Sequence, residues 1–191
     1  MKAIVAFTVL AVTLVPGGFS AQHSGKEEFT AFAVNMGTIG TGANSIVDIT
    51  IERWSTEAER EALITAFKTK QQEGLLHALQ KIRPRAGFIR LPNSLGYDLQ
   101  YAHQIPGEDG GRRIVIATDR RISFAEARNQ PRTMDYPFTL IEMRLNDQDE
   151  GVGKMAIATK IAWSKEKNTL ELENYSSEPV RLNNVRRRNP S

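Results

Sequence analysis

The chain contains no cysteine. That excludes a disulfide framework, a zinc knuckle, a thiolate nucleophile and an iron–sulfur site. Histidine is nearly as scarce, with three in 191 residues. His23 is close to the amino terminus, His77 follows Glu73 by four residues, and His103 ends a strand-like stretch. No H-x-x-x-H spacing occurs, so no zinc site, other metal site or cofactor is assigned. G-x-S-x-G is missing, which removes the usual nucleophile elbow. Ser94 and Ser123 stand in loops with no base assigned to them. Excess charge is small: 25 basic residues face 22 acidic ones, a net of +3. The only basic cluster is Arg181, Arg186, Arg187 and Arg188, whereas nucleic-acid binders carry a basic face, so no nucleic-acid partner is expected. Beyond residue 21 no apolar run approaches the ~20 residues that span a bilayer.

What is present begins with an address. Lys2 precedes thirteen residues, Ala3 to Val15, that are apolar except for two threonines. Pro16-Gly17-Gly18 then breaks any helix before the small residues Ser20 and Ala21. A basic start, an apolar middle and a small-residue cleavage zone are the parts of a secretory signal. Residues 1–21 are therefore read as a signal peptide, cleaved after Ala21 or Ser20, with a periplasmic or secreted destination. The remaining chain is long enough to bury a core without cross-links.

Residues 22–28 read as a polar, disordered mature terminus, 29–185 as one β-rich domain with a helical insertion at 56–83, and 186–191 as a basic tail. Ser45 to Trp54 alternates, with Val47, Ile49 and Ile51 on one face and Asp48, Thr50 and Glu52 on the other. Thr56 with Glu59 three residues on is a capping box. Ala62, Leu63, Ala66 and Phe67 follow at helical spacing, Gly74 interrupts, and Leu75, Leu76, Leu79 and Ile82 resume until Arg83-Pro84 stops the helix. A helical hairpin suits this pattern better than one kinked helix. After Pro84 the chain reads as short strands separated by turn residues, the pattern of antiparallel neighbours. Lys154 to Trp163 puts Met155, Ile157, Ile161 and Trp163 on one face and Ala156, Ala158 and Ala162 on the other. The alanine face is where the helical region is expected to lie. The fold class expected is mainly β (α+β): a curled antiparallel sheet or barrel-like meander with one helical hairpin inserted after the second strand.

Four segments carry a resemblance: Phe29 to Gly37 (FTAFAVNMG), Leu91 to Leu99 (LPNSLGYDL), Arg113 to Arg120 (RIVIATDR) and Ala127 to Arg144 (ARNQPRTMDYPFTLIEMR). On these the chain resembles a group of uncharacterised exported bacterial proteins of the kind found in acidobacteria. The likeness covers about residues 29–187. It implies an exported bacterial location and assigns no activity, ligand or catalytic residue.

Gly37, Gly40 and Gly42 are spaced G-x-x-G-x-G and lead into a strand, so they read as a hairpin loop, not a dinucleotide loop. Asp147 to Gly151 begins like a calcium loop but places Val152 and Ala158 where Gly and Glu are needed, so a solvated hairpin turn is expected. The longest loop, Asp119 to Pro137, holds Arg120, Arg121, Glu126, Arg128, Asn129, Gln130, Arg132 and Asp135. Guanidinium groups grip carboxylates and phosphates in bidentate fashion, and long loops on rigid scaffolds hold sites. Arg128, Asn129 and Arg132 are thus candidate ligand-binding residues, with Tyr97 and Tyr101, on one face with Leu99, as an apolar wall. Internal salt bridges and ordinary core packing are the competing readings. The first function expected is a non-catalytic exported protein that binds a small or anionic ligand or a cell-envelope partner. The alternative is a periplasmic hydrolase using Glu126 and Asp135 for acid–base work. A third is a structural protein acting through sheet-edge pairing. The oligomeric state is left open. Exported expression in a bacterium is expected to yield a mature chain starting at Gln22 or Ala21. Intact-mass measurement checks this, and an unprocessed mass sinks the export reading.

Overall fold

The computed structural model describes residues 25–34, 44–92, 95–107, 110–120, 122, 138–164, 169–174 and 179–188. Residues 1–24, the glycines at 37, 40 and 42, and the loop residues 123–137 lie outside this set.

Alternating apolar residues form ten strands: β1 (Glu27–Val34), β2 (Asn44–Ile51), β3 (Gly87–Arg90), β4 (Tyr97–Leu99), β5 (Tyr101–Pro106), β6 (Arg112–Thr118), β7 (Phe138–Leu145), β8 (Glu150–Ser164), β9 (Thr169–Asn174) and β10 (Val180–Arg188). One helical region, α1 (Glu57–Lys81), lies between β2 and β3. The fold is mainly β, as expected, and the helix follows the second strand. All ladders are antiparallel, in the order β4-β3-β2-β1-β10-β8-β7-β6-β5, with β9 on β8. β4 and β5 end this order on opposite sides, yet only Gln100 separates them in the chain. Ala86 donates its N–H to the Leu99 carbonyl at 2.7 Å, and Gln100 donates to the Ala117 carbonyl at 3.1 Å. The two ends of the sheet thus meet at one residue, and the sheet curls into a nearly closed barrel. β9 lies in line with β10 along β8, because Asn174 faces Thr159 and Val180 faces Met155.

A small barrel has an interior just wide enough for side chains to fill. Here they fill it: Phe29, Ile49, Ile51, Ile89, Leu99, Ile114, Ile116, Ile141 and Met143 are fully buried in one cluster. Each large side chain removed from water contributes ~1.5–3 kcal/mol.

The helical region opens with the expected capping box: the Glu59 N–H donates to Thr56 Oγ1 at 3.2 Å, and the Thr56 N–H donates to the Glu59 carboxylate at 2.9 Å. It breaks at Lys70 and Gln71, where Gln71 takes φ 51°. Gly74 then lies against the Ala66 carbonyl, so close that no side chain fits there. Leu63, Phe67 and Leu79 pack on Phe138 and Ile161, with Tyr101, Ala117 and Leu140 around them. The helical region therefore covers the outside of the β5–β8 wall. Arg53 ties both ends of the insertion together: it donates to the Glu59 carboxylate at 2.9 and 2.8 Å and to the Pro84 carbonyl at 2.6 Å.

Two face assignments are corrected. Leu99 and Ala102 both point inward, so the alternation flips at Gln100. Tyr97 then packs on the barrel core, while Tyr101 packs on the helix. In β8 the register slips between the pairs Ala156–Leu140 and Thr159–Phe138. Met155 faces the barrel core, but Ile161 comes round to the helix, which therefore does not rest on an alanine face alone. Extra residues in one strand of a ladder make such bulges, and each reverses the side-chain phase. The domain edges also move outward. Glu27 and Glu28 belong to β1, and Arg186 to Arg188 belong to β10.

The first and last strands meet over a buried ion-pair cluster. Arg112 donates to Glu27 at 2.6 Å, to Asp149 at 2.8 Å and to Gln104 at 2.9 Å. Arg187 donates to Asp149 at 3.1 Å and lies 3.6 Å from Glu27. The Arg112 and Glu27 side chains are 12% and 1% exposed. Removing one partner of a buried pair strands the other, at about 3–5 kcal/mol. Arg112→Ala is expected to lose that much stability in urea unfolding; a loss under about 1 kcal/mol, the value of exposed pairs, contradicts the assignment.

Candidate functional site

Among the described residues nothing covers the wall β3-β2-β1-β10, which presents polar side chains outward because its apolar ones point into the barrel. In β3, Ile89 is buried, which turns Phe88 and Arg90 outward. Thr50 of β2 sits directly opposite Phe88 and is buried. Asp48 sits opposite Arg90, and Glu28 of β1 sits between Thr50 and Arg188. These residues, with Lys26, line a groove of about 250 Å³.

The charges in and around this groove are mostly paired. Lys26 lies 2.7 Å from Glu28, and Arg188 lies 3.6 Å from Asp48. The Lys26 ammonium bonded to Glu28 holds that carboxyl below its ordinary pKa. Beside the groove, Arg85 donates to Glu52 at 2.9 Å and to Asp98 at 2.5 Å. This bond holds the Glu52 carboxyl low and raises the Arg85 guanidinium. Phe88 sits beneath two cations, with Arg85 at 5.0 Å and Arg90 at 5.3 Å from its ring centre. Stacking of this kind orients a guanidinium and leaves its edge donors available. Among the described residues, Arg90 has no carboxylate partner. The groove therefore offers one oriented cation and neutralised neighbours, an arrangement that can accept a carboxylate or a phosphate.

Of the residues expected to bind ligand, Arg128, Asn129 and Arg132 lie outside the described residues, as do Glu126, Asp135, Ser94 and Ser123. Tyr97 and Tyr101 are described, and the structure does not bring them together. Tyr101 stacks on His103, with ring centres 6.1 Å apart, beside Glu57 and Arg60 at the start of α1. Asp149, in the turn expected to be a solvated hairpin, accepts from Arg112 and Arg187. Sequence reading missed Phe88 and Arg90. Their signal was an outward-facing phenylalanine with arginines three positions before it and two after it.

No protein-family model matches the chain, and no curated protein or solved structure matches it either.

Burial pushes the Tyr101 phenol from 10.0 up to about 12 and holds the His103 imidazole below its ordinary 6.5. Both groups are kept neutral in the folded state. For His103 the contribution is full above pH 6.5 and is lost as pH falls below it. For Tyr101 it is full below pH 10 and is lost as pH rises towards 12. Urea midpoints are expected to fall along both limbs. His103→Gln should flatten the acid limb relative to the parent chain, and Tyr101→Phe the alkaline one. Unchanged limbs in both variants contradict the assignment.

Proposed function

We propose that the chain is a non-catalytic, exported β-rich binding protein that takes a small anionic ligand on its uncovered wall. The observation that carries this reading is Arg90: a guanidinium oriented on Phe88, at a groove, with no carboxylate partner among the described residues. Lys26 and Arg188 are paired with Glu28 and Asp48, so the groove's charge that is left to meet an anion is that of Arg90. The barrel interior supports the same reading from the other side. Its space is occupied by apolar side chains, so binding falls to the outer surface. The signal-like amino terminus and the resemblance to exported bacterial proteins support the location.

Titration with inorganic phosphate, followed by amide chemical shifts, tests this. Shifts are expected at residues 48–50 and 88–90. Bonds to charged groups contribute ~1.5–3 kcal/mol, so Arg90→Ala should weaken binding by about 10- to 100-fold. Lys68→Ala, on the exposed side of α1, should leave it unchanged. Shifts scattered away from this wall, or an unaffected Arg90→Ala, overturn the proposal.

A further inference from the structure

We propose that the anion this wall takes is the headgroup of an anionic lipid, and that the protein docks on a bilayer surface through Ile46, Phe32 and Val152. This rests on the anion-binding reading above. The three side chains are apolar, outward-facing and 60%, 38% and 56% exposed. The ladder registers put them in one row. Phe32 of β1 pairs with Ile46 of β2 on one side and with Asn183 of β10 on the other. The bulge at Asn183 and Asn184 lies opposite Val152 of β8, between the pairs Leu182–Gly153 and Val185–Gly151. The row thus runs across four adjacent strands, next to the groove: Asp48, which lines the groove, is two residues from Ile46 on the same face. Ile46 and Phe32 are direct cross-strand neighbours, and Val152 lies beyond Asn183 in the same row; isolated exposed apolar residues are ordinary, but neighbours aligned in this way mark an interaction surface.

Its surroundings are cationic. Arg181 and Lys154 occupy facing positions on β10 and β8 one step along from the row, with Glu142 of β7 facing Lys154 on its other side, and basic groups outnumber acidic ones on this face. The acidic groups nearby are each held by a cation: Glu150 by Arg186 at 3.5 Å, Asp48 by Arg188 at 3.6 Å and Glu28 by Lys26 at 2.7 Å. A second copy would bring like charges together, so the face does not suit self-association. A protein partner buries its anchors in fitted pockets, and this wall is the outside of a barrel with the apolar groups standing out from it. A bilayer interface accepts that shape. Protruding apolar side chains enter the headgroup boundary while arginine and lysine stay at the level of the phosphates. Arg90 in the groove would then meet a headgroup phosphate.

The test is sedimentation of the mature chain with phosphatidylglycerol vesicles and with phosphatidylcholine vesicles. Binding is expected to favour phosphatidylglycerol by about tenfold or more and to weaken with salt. The Phe32→Ser/Ile46→Ser double variant should lose vesicle binding while retaining the inorganic phosphate titration. Arg90→Ala should weaken both. Val152→Ser, on a different strand, repeats the test should the double variant not fold. Equal binding to both lipids, or undiminished binding by the serine variants, overturns the docking surface. If phosphate titrates the wall but neither vesicle sediments the protein, the lipid inference fails and the anion-binding reading stands. If phosphate does not titrate the wall either, both fail.

Discussion

Arg112 stands at the first position of β6, and it ties that strand across one end of the barrel to the first strand and to the β7–β8 turn. All of its faces are occupied. Its edge donors reach Glu27, Gln104 and Asp149, and its plane lies 5.7 Å from the Phe29 ring and 6.0 Å from the Trp54 ring. Burial works against its charge, but the bonds from Glu27 and Asp149 more than offset this, and the guanidinium is held above its ordinary pKa. Glu27 starts the first strand, and Arg187, which shares Asp149, is near the end of the last. A single charge cluster therefore fixes how the first and last strands meet. Hydrophobic alternation alone leaves slips of two residues open, because they keep the same side chains inside. An ion pair with fixed geometry distinguishes those registers.

Curling of the sheet divides its outside into two unlike walls. The β5–β8 wall carries Tyr101, Ala117, Phe138, Leu140 and Ile161, which need covering, and α1 covers them. The β3-β2-β1-β10 wall carries cross-strand charge pairs and needs no cover. The insertion sits between β2 and β3 without separating them: Glu52 and Arg53 both donate to the Ala86 carbonyl, and the strands pair as if the helix were absent. This leaves Phe88, Arg90, Phe32 and Ile46 at the surface, with Val152 of β8 beside them at the edge of the wall.

Much of the architecture is legible in the sequence. Strict alternation in β2 predicts its buried Val47, Ile49 and Ile51, and Thr56 with Glu59 predicts the helix start. The sequence also indicates no disulfide, a mainly β fold with a helical insertion and a signal-like terminus. These follow from local rules: side-chain period, capping chemistry and residue type act over a few neighbouring positions. The expected common face of Tyr97, Leu99 and Tyr101 does not form, for a physical reason. Gln100 adds one residue between β4 and β5, and a single residue reverses the phase of everything after it, sending Tyr97 and Tyr101 to different clusters. The bulge in β8 did the same to Ile161. Arg187 reads as part of a basic tail until the fold brings Asp149 within 3.1 Å of it. Arg90 reads as an ordinary strand arginine until Phe88 is placed beneath it. Pairing between residues tens of positions apart depends on where the strands close. Only the tertiary structure decides that, because closure is a property of the whole sheet and not of any one segment.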